Sequence, residues 1–320
     1  MNFDVKIRYD FIKARKWFFG FSVLMVLAGA IALAVQGLNL GVDFSAGTSV
    51  DITVGERIDK TQAEELLAKA GYPDQKVTVG GDRVSTRFDH ELTPEEIGAL
   101  EAVFRERFGD QVSSEAYTVS PDIAREVGMK AIYGVLIAGI GIALYVSIRF
   151  EWRFALASVL TILYDAVFVV ALFAVFRLEV DLPFLAAVLT VVGYSINDKI
   201  VVFDRIRENL KFAKVKTKED LALVINSSIW QTMARNINTV LTVLFAAVCL
   251  FIFGSESIKL FSLAMIFGLL SGAFSSICIA SPLYYVIRNR WTGSVKKTAS
   301  AKEYPVGRES LSAALVVHWA

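Results

Sequence analysis

The sequence predicts an α-helical membrane protein with six transmembrane helices and a small α/β domain between the first and second. Three observations carry this. The chain is 55% hydrophobic and 20% charged, with a mean hydropathy of +0.52, whereas a soluble domain is nearer 25% charged. The apolar excess is gathered into six long runs. One polar, acidic interval separates the first run from the second.

The elements follow in order. Residues 17–35 are nineteen apolar or small residues between Lys16 and Gln36. Residues 131–148 form the second run, between Lys130 and Arg149. Residues 154–176 are interrupted only by Asp165, and 182–203 are clean until Asp198. Residues 237–255 and 260–287 complete the set. A hydrocarbon core about 30 Å thick needs roughly 20 residues rising 1.5 Å each. Within lipid only a helix satisfies every backbone group from its own segment. The expected spans are therefore 17–36, 129–149, 154–176, 182–205, 234–255 and 260–287. Between them lie an N-terminus over 1–16, an exterior domain over 37–128, a loop over 206–233 and a tail over 288–320. A cleaved signal peptide is the other reading of the first run, with Ala30-Ile31-Ala32 as a cleavage site. Nineteen residues exceed the 7–15 of a signal core, so a retained span is expected.

Charge gives the orientation. Residues 43–126 hold 18 acids and 9 bases, and the rest of the chain 14 acids and 24 bases. Lys13, Arg15 and Lys16 precede the first span, and Arg149 and Arg153 follow the second. Arg205, Arg207, Lys211 and Lys216 follow the fourth, and Arg288 and Arg290 the sixth. The opposite loops carry only Arg177 and Lys259. Short basic loops stay cytoplasmic. Both termini are expected inside, and the acidic domain outside.

Within that domain, 49–54 alternates as a strand does, and 60–70 reads as a helix capped by Asp59 and stopped by Gly71 and Pro73. Strands over 76–79 and 83–88 flank Gly80-Gly81, a hairpin signal. Thr93, Pro94 and Glu96 form a capping box opening a helix to about Phe108, and 111–119 reads as the last strand. The order β-α-β-β-α-β is that of a ferredoxin-like unit. It carries no catalytic constellation and is expected to serve contact or docking.

A charge inside a span costs about 2.5–3.5 kcal/mol at the helix centre, so it usually faces protein or a water cavity. In the fourth span, Tyr194, Asp198, Val201 and Arg205 share a face. Asp198 lies about two turns from the basic cytoplasmic end. Arg235 opens the fifth apolar run from that same end and is expected to reach the depth of Asp198. Desolvation disfavours a charged carboxylate and a guanidinium favours it, so a group balanced between them can take and release a proton. The bland reading of Asp198 is a structural ion pair with Lys199 or Arg235. Asp204 and Arg205 read as a solvated helix-end pair. Asp165, beside Tyr164 in the third span, belongs either to a conducting path or to a hydrogen bond with a neighbouring helix. Gly268, Gly272, Ser271 and Ser275, like Gly134 and Gly139 of the second span, read as small-residue packing seams.

Gly41-Val42-Asp43-Phe44-Ser45-Ala46-Gly47-Thr48, just after the first span, resembles the Gly-Ile-Asp-Phe-x-Gly-Gly-Thr signature of the SecF family. These are protein-export membrane subunits of the SecDF complex, in the RND superfamily. The stretch 193–209, beginning Gly193-Tyr194-Ser195-Ile196-Asn197-Asp198, resembles the family's fourth-span motif, and Gln231-Thr232-x-x-Arg235 the start of its fifth. The resemblance runs from residue 1 to about 290. It implies that this chain is one six-span half of a two-fold assembly, with SecD as the other half. It implies export of preproteins through the SecYEG channel from the bacterial cytoplasmic membrane, driven by the proton-motive force or by Na+. The functional charges it implies are Asp198 and Arg235; Asn197 and Asp165 stand beside them as further candidate ion-conducting residues. Three positions depart from the family pattern. Ala46 replaces a glycine, Lys199 replaces Ser or Thr, and Tyr164 replaces a histidine.

Other classes fit less well. An RND small-molecule exporter half is the alternative, but one exterior loop of about 85 residues leaves little room for a drug pocket. No Gly-x-x-x-x-Gly-Lys loop or Ser/His pair suggests an enzyme. His90 and His318 are far apart, and Cys249 and Cys278 lie in spans, so no metal cluster or cofactor is expected. No nucleic-acid partner is expected. The segment after Lys302 is expected to lack fixed structure.

Overall fold

The structure, a computed structural model, describes residues 9–75, 77–213 and 215–289. The tail expected after Lys302 lies outside the described residues. Six helices are long and apolar enough to cross a membrane. They are α1 (Arg15–Gln36), α5 (Pro121–Arg149), α6 (Trp152–Val175), α7 (Leu182–Phe212), α8 (Lys218–Phe253) and α9 (Glu256–Ser275). The last continues through a π-helical turn at Ser276–Ala280 as far as Asn289. Between α1 and α5 come β1 (Asn39–Leu40), α2 (Val42–Ser45), β2 (Gly47–Thr53), α3 (Lys60–Lys69), β3 (Val77–Gly80), β4 (Arg83–Phe88), α4 (Pro94–Phe108) and β5 (Ser113–Val119).

The domain between α1 and α5 is built on one antiparallel sheet ordered β3-β4-β2-β5. Its inward face is written by alternation: Val50, Ile52, Val84 and Phe88 are fully buried. They close on Leu67, Leu100 and Phe104 from α3 and α4. Capping boxes start both helices, Asp59 with Gln62 and Thr93 with Glu96. Each satisfies backbone N–H groups that the first turn leaves free.

Three helix boundaries depart from the sequence expectation. Residues 206–233, expected as a cytoplasmic loop, are mostly helix: α7 runs on to Phe212 and α8 begins at Lys218. Thr217 and Asp220 form a capping box, and Leu221, Val224, Ile225 and Ile229 make a buried stripe at helical spacing. That stripe packs against Phe11, Ile12 and Ile206, and Asn226 Oδ1 accepts from Phe11 N at 3.1 Å. Residues 121–128, expected within the exterior domain, are the first turns of α5, started by Pro121.

In the membrane, α6, α7 and α9 are the most buried helices, while α1, α5 and α8 keep wide exposed faces. The centre has three levels. Toward the α/β domain, Val169, Phe173, Phe184, Val191 and Leu269 form one apolar cluster. Toward the opposite end, Phe154, Val202, Phe203, Ile206 and Tyr284 form another, with Phe154 and Tyr284 stacked at 3.9 Å between centroids. Between them, α6 contributes Asp165, α7 contributes Ser195, Asp198 and Lys199, and α9 contributes Ser271 and Ser275, all buried. Close contact holds the level together: a Cβ on Gly268 would stand 2.3 Å from Val191 Cγ2, and one on Gly272 would stand 3.3 Å from Ser195 Cβ. The seam read at Gly268 and Gly272 thus faces α7. Gly134 and Gly139 of α5 meet nothing within 4 Å.

Candidate functional site

The polar level is organised around Asp165. Lys199 Nζ donates to Asp165 Oδ2 at 2.7 Å, and both side chains are 0% exposed. Ser275 Oγ donates to the same oxygen and Ser271 Oγ to Oδ1, each at 2.8 Å. Ser195 Oγ bonds both Asp165 and Lys199. Lys199 also reaches Ser275 Oγ at 3.0 Å. The carboxylate and the ammonium are thus satisfied from three helices, the condition under which a buried ion pair is tolerated.

Asp198 is different. It is 5% exposed, yet its carboxylate accepts no hydrogen bond among the described residues. It borders a small cavity between α7, α8 and α9, lined also by Tyr194, Ser195, Thr239, Val240 and Gly272. Asn236, one turn before Thr239 and Val240 on the same face of α8, is buried with both amide atoms unpaired among the described residues. The expected contact between Asp198 and Arg235 is not formed. Arg235 lies on the exposed side of α8, because adjacent residues on a helix project about 100° apart and Asn236 takes the inward direction. The bland alternative of an Asp198–Lys199 pair also gives way, since Lys199 turns toward Asp165. Gly193, Tyr194 and Asn197 lie on the exposed side of α7, as do Arg235 and Asn238 on α8.

At the end of the bundle away from the α/β domain, Asp204 lies 3.5 Å from both Arg149 and Arg207. Arg205 pairs with Glu208 at 2.6 Å and also donates to Gln231. Asn209 donates to Ser228 at 2.8 Å. These contacts tie α7 to α5 and α8.

At the end of the bundle nearest the α/β domain, the Gly41–Thr48 motif is a junction. Gly41 N donates to Val180 O at 2.8 Å, and β1 pairs in parallel with β6 (Glu179–Val180). A Cβ on Gly41 would meet Glu179 Oε1 at 3.0 Å. Asp43, 8% exposed, accepts from Leu182 N at 2.9 Å, so a side chain of the motif caps α7. Asp181, the residue before α7, accepts from Phe184 N at 2.7 Å. Phe44 packs beside Gly128 of α5. Gly47 has φ +113°, and a Cβ there would stand 2.1 Å from Phe88 O, so only glycine fits. Thr48 Oγ1 accepts from Leu92 N at 2.9 Å and bonds Thr118 at 3.0 Å. Arg87 of β4 donates to Leu40 O and Ser45 Oγ. Arg177 donates to Gln36 O at 2.6 Å and Gly37 O at 3.2 Å, tying the end of α1 to the loop before α7. Burial pushes the carboxyls of Glu179 and Asp181 above their ordinary range, against the pull of Arg87 on the first and of Phe184 N–H on the second.

The sequence marks Asp165, Asp198 and, within the fourth-span motif, Ser195, but not Ser271 and Ser275 as partners of Asp165. Ser271 and Ser275 read as packing residues and do pack, yet both donate to its carboxylate. A signal was present: Ser195 and Lys199, and Ser271 and Ser275, are each spaced by four residues, one polar face per helix.

This arrangement has known counterparts. Residues 99–290 match the family model described as protein export membrane protein SecD/SecF, C-terminal. Residues 31–56 match the SecD/SecF GG motif. A protein translocase subunit SecF from Alicyclobacillus acidocaldarius is 44% identical over 309 residues, covering 94% of this chain and 99% of that relative. A protein translocase subunit SecDF from Bacillus subtilis is 42% identical, covering 92% of this chain and 40% of its own length. The crystal structure of SecDF from Thermus thermophilus, described as a translocon-associated membrane protein, superposes with a TM-score of 0.79 at 32% identity. It covers 91% of this chain, which spans 40% of that one.

Proposed function

The chain belongs to the SecD/SecF family of protein-export membrane proteins, and from that premise we propose that it is the SecF-type subunit of a protein translocase that couples ion entry at Asp198 to export. The observation that carries this reading is the contrast between two buried carboxylates. Asp165 is fully committed to Lys199 and three serines. Asp198 is desolvated but uncommitted, and it borders a cavity.

A proton arriving at Asp198 removes the charge of the carboxylate in the buried polar level that, among the described residues, lacks direct bonds. The helix bearing Asp198 begins at Leu182, whose N–H is held by Asp43 of the exterior junction. A helix is stiff, so a shift of α7 is transmitted over about 24 Å to that junction. One elementary charge crossing 100 mV supplies about 2.3 kcal/mol, enough to bias two positions by roughly fiftyfold. The coupling ion in this reading is H+, drawn from the proton-motive force, with Na+ the other candidate.

The partner is a second six-span half of SecD type. It would cover the exposed Tyr194, Asn197, Arg235 and Asn238, which lipid would leave unsatisfied. The fused SecDF relatives, of which this chain spans 40%, support such a pairing. The assembly would sit beside SecYEG in the bacterial cytoplasmic membrane, both termini of this chain inside, and act on emerging preprotein.

The test is Asp198→Asn in reconstituted vesicles with the partner present. Proton-dependent export is expected to vanish while ATP-driven export persists. Full proton-dependent export in this variant refutes the reading.

A further inference from the structure

Lys199 occupies an oxygen cage. Its ammonium lies 2.7 Å from Asp165 Oδ2, 3.0 Å from Ser275 Oγ and 3.5 Å from Ser195 O, and it bonds Ser195 Oγ. Ser271 holds the other carboxylate oxygen at 2.8 Å. The lysine and the aspartate are each 0% exposed, and Ser195, Ser271 and Ser275 are 2%, 3% and 0% exposed.

This donor set is wholly oxygen: one carboxylate, hydroxyls from two helices and a backbone carbonyl. Hard cations select such ligands, and nitrogen or sulfur ligands would signal a transition metal. Without the lysine the cage carries one net negative charge in a site walled by apolar layers above and below. A lone carboxylate there is strongly unfavourable, so something positive must accompany it. The charged groups of the cage are Asp165 from α6 and Lys199 from α7; Asp198 of α7 borders the adjacent cavity toward α8, α9 presents only serines, and Arg235 of α8 faces outward.

We propose that the Lys199 ammonium is a tethered cation filling an alkali-cation site built by Asp165, Ser195, Ser271 and Ser275, and that it bars Na+ from that site. The inference goes beyond the export reading. Only its consequence for coupling rests on that reading: with the cage filled, the ion that moves must be taken up at Asp198, whose cavity is lined by Ser195 but not by Ser271 or Ser275. Equilibrium binding tests the cage without any export measurement.

The experiment uses the full chain purified in mild detergent. Binding of radioactive sodium is measured, with thermal unfolding in NaCl and in choline chloride at equal ionic strength. The wild-type chain is expected to bind no sodium and to unfold at the same temperature in both salts. Lys199→Ser is expected to gain saturable sodium binding, displaced by unlabelled NaCl, and to unfold at higher temperature in NaCl. The double variant Asp165→Asn with Lys199→Ser, which removes the buried charge, is expected to lose both gains. Folded Lys199→Ser without sodium binding overturns the proposal. So does Lys199→Ser that folds in neither salt while the double variant folds, because sodium then fails to replace the ammonium. Saturable sodium binding by the wild-type chain that persists in Asp198→Asn overturns it whatever the other variants do, whereas binding lost with Asp198 belongs to that carboxylate and not to the cage. Loss of export in Asp198→Asn would leave these outcomes unchanged, so the two readings fail separately.

Discussion

Asp165 and Lys199 form a 2.7 Å ion pair with no solvent exposure, joining α6 to α7 at mid-membrane. Removing one partner of such a pair leaves an uncompensated buried charge, at a cost of about 3–5 kcal/mol. Asp165→Asn or Lys199→Met alone is therefore expected to lower thermal stability in detergent sharply. The double variant is expected to recover most of that loss, since contacting residues are not additive. Equal loss in the double variant would show that the pair is not a unit.

Asp43 caps α7 across 139 positions of sequence. Asp43→Ala is expected to cost about 1 kcal/mol, the usual value of a helix cap. Hydrogen exchange should localise the loss to the amide of Leu182. If α7 transmits motion to the exterior domain, the same variant lowers proton-dependent export with Asp198 intact. Unchanged exchange at Leu182 would remove the cap from the account.

Ala46 has φ +62° and ψ 173°, a region that only glycine occupies freely. It stands where the family pattern has glycine. Ala46→Gly is expected to relieve strain of about 1–3 kcal/mol, partly offset by the greater freedom of glycine in the unfolded chain. A rise in unfolding temperature checks it.

Gly268 gives α9 its approach to α7. Gly268→Ala would set a Cβ at 2.3 Å from Val191 Cγ2, and overpacking of this kind costs about 1–3 kcal/mol. Val191→Ala added to Gly268→Ala is expected to recover stability relative to Gly268→Ala alone. A purely propensity-based effect would favour alanine and give the opposite sign.

Glu179 and Asp181 hold their protons more tightly in the folded chain than in the unfolded one, because burial disfavours their charge. The folded state therefore loses stability as pH rises from the ordinary carboxylate values, 4.5 for Glu179 and 3.8 for Asp181, through the raised ones. Glu179→Gln is expected to be more stable than wild type at neutral pH and to flatten the profile across that window. Thermal unfolding in a pH series checks the slope.

Much of this was legible in the chain. The spans show because a run such as 17–35 has no charge to place in lipid, and the exterior strands show because Val50, Ile52 and Val54 alternate. The start of α8 did not show, because a surface helix with Lys218, Glu219 and Asp220 in its first turn looks like a polar loop until Leu221, Ile225 and Ile229 are seen to share a stripe. The choice of partner for Lys199 was also hidden. Asp198 and Lys199 differ by about 100° in direction, so which of them faces α6 depends on the rotation of α7 about its own axis. That rotation is set by contacts distant in sequence, Gly268 on Val191 and Gly272 on Ser195.

The layering around Asp165 packs this chain solid along its own axis. Phe173 and Phe184 close it on one side, Phe154, Phe203 and Tyr284 on the other, and Asp165 at the middle is already paired with Lys199. In the proposed reading an ion therefore has its way along the flank, where Asp198 borders the cavity beside α8, so a seam with a partner half would be the wire and this chain its insulation.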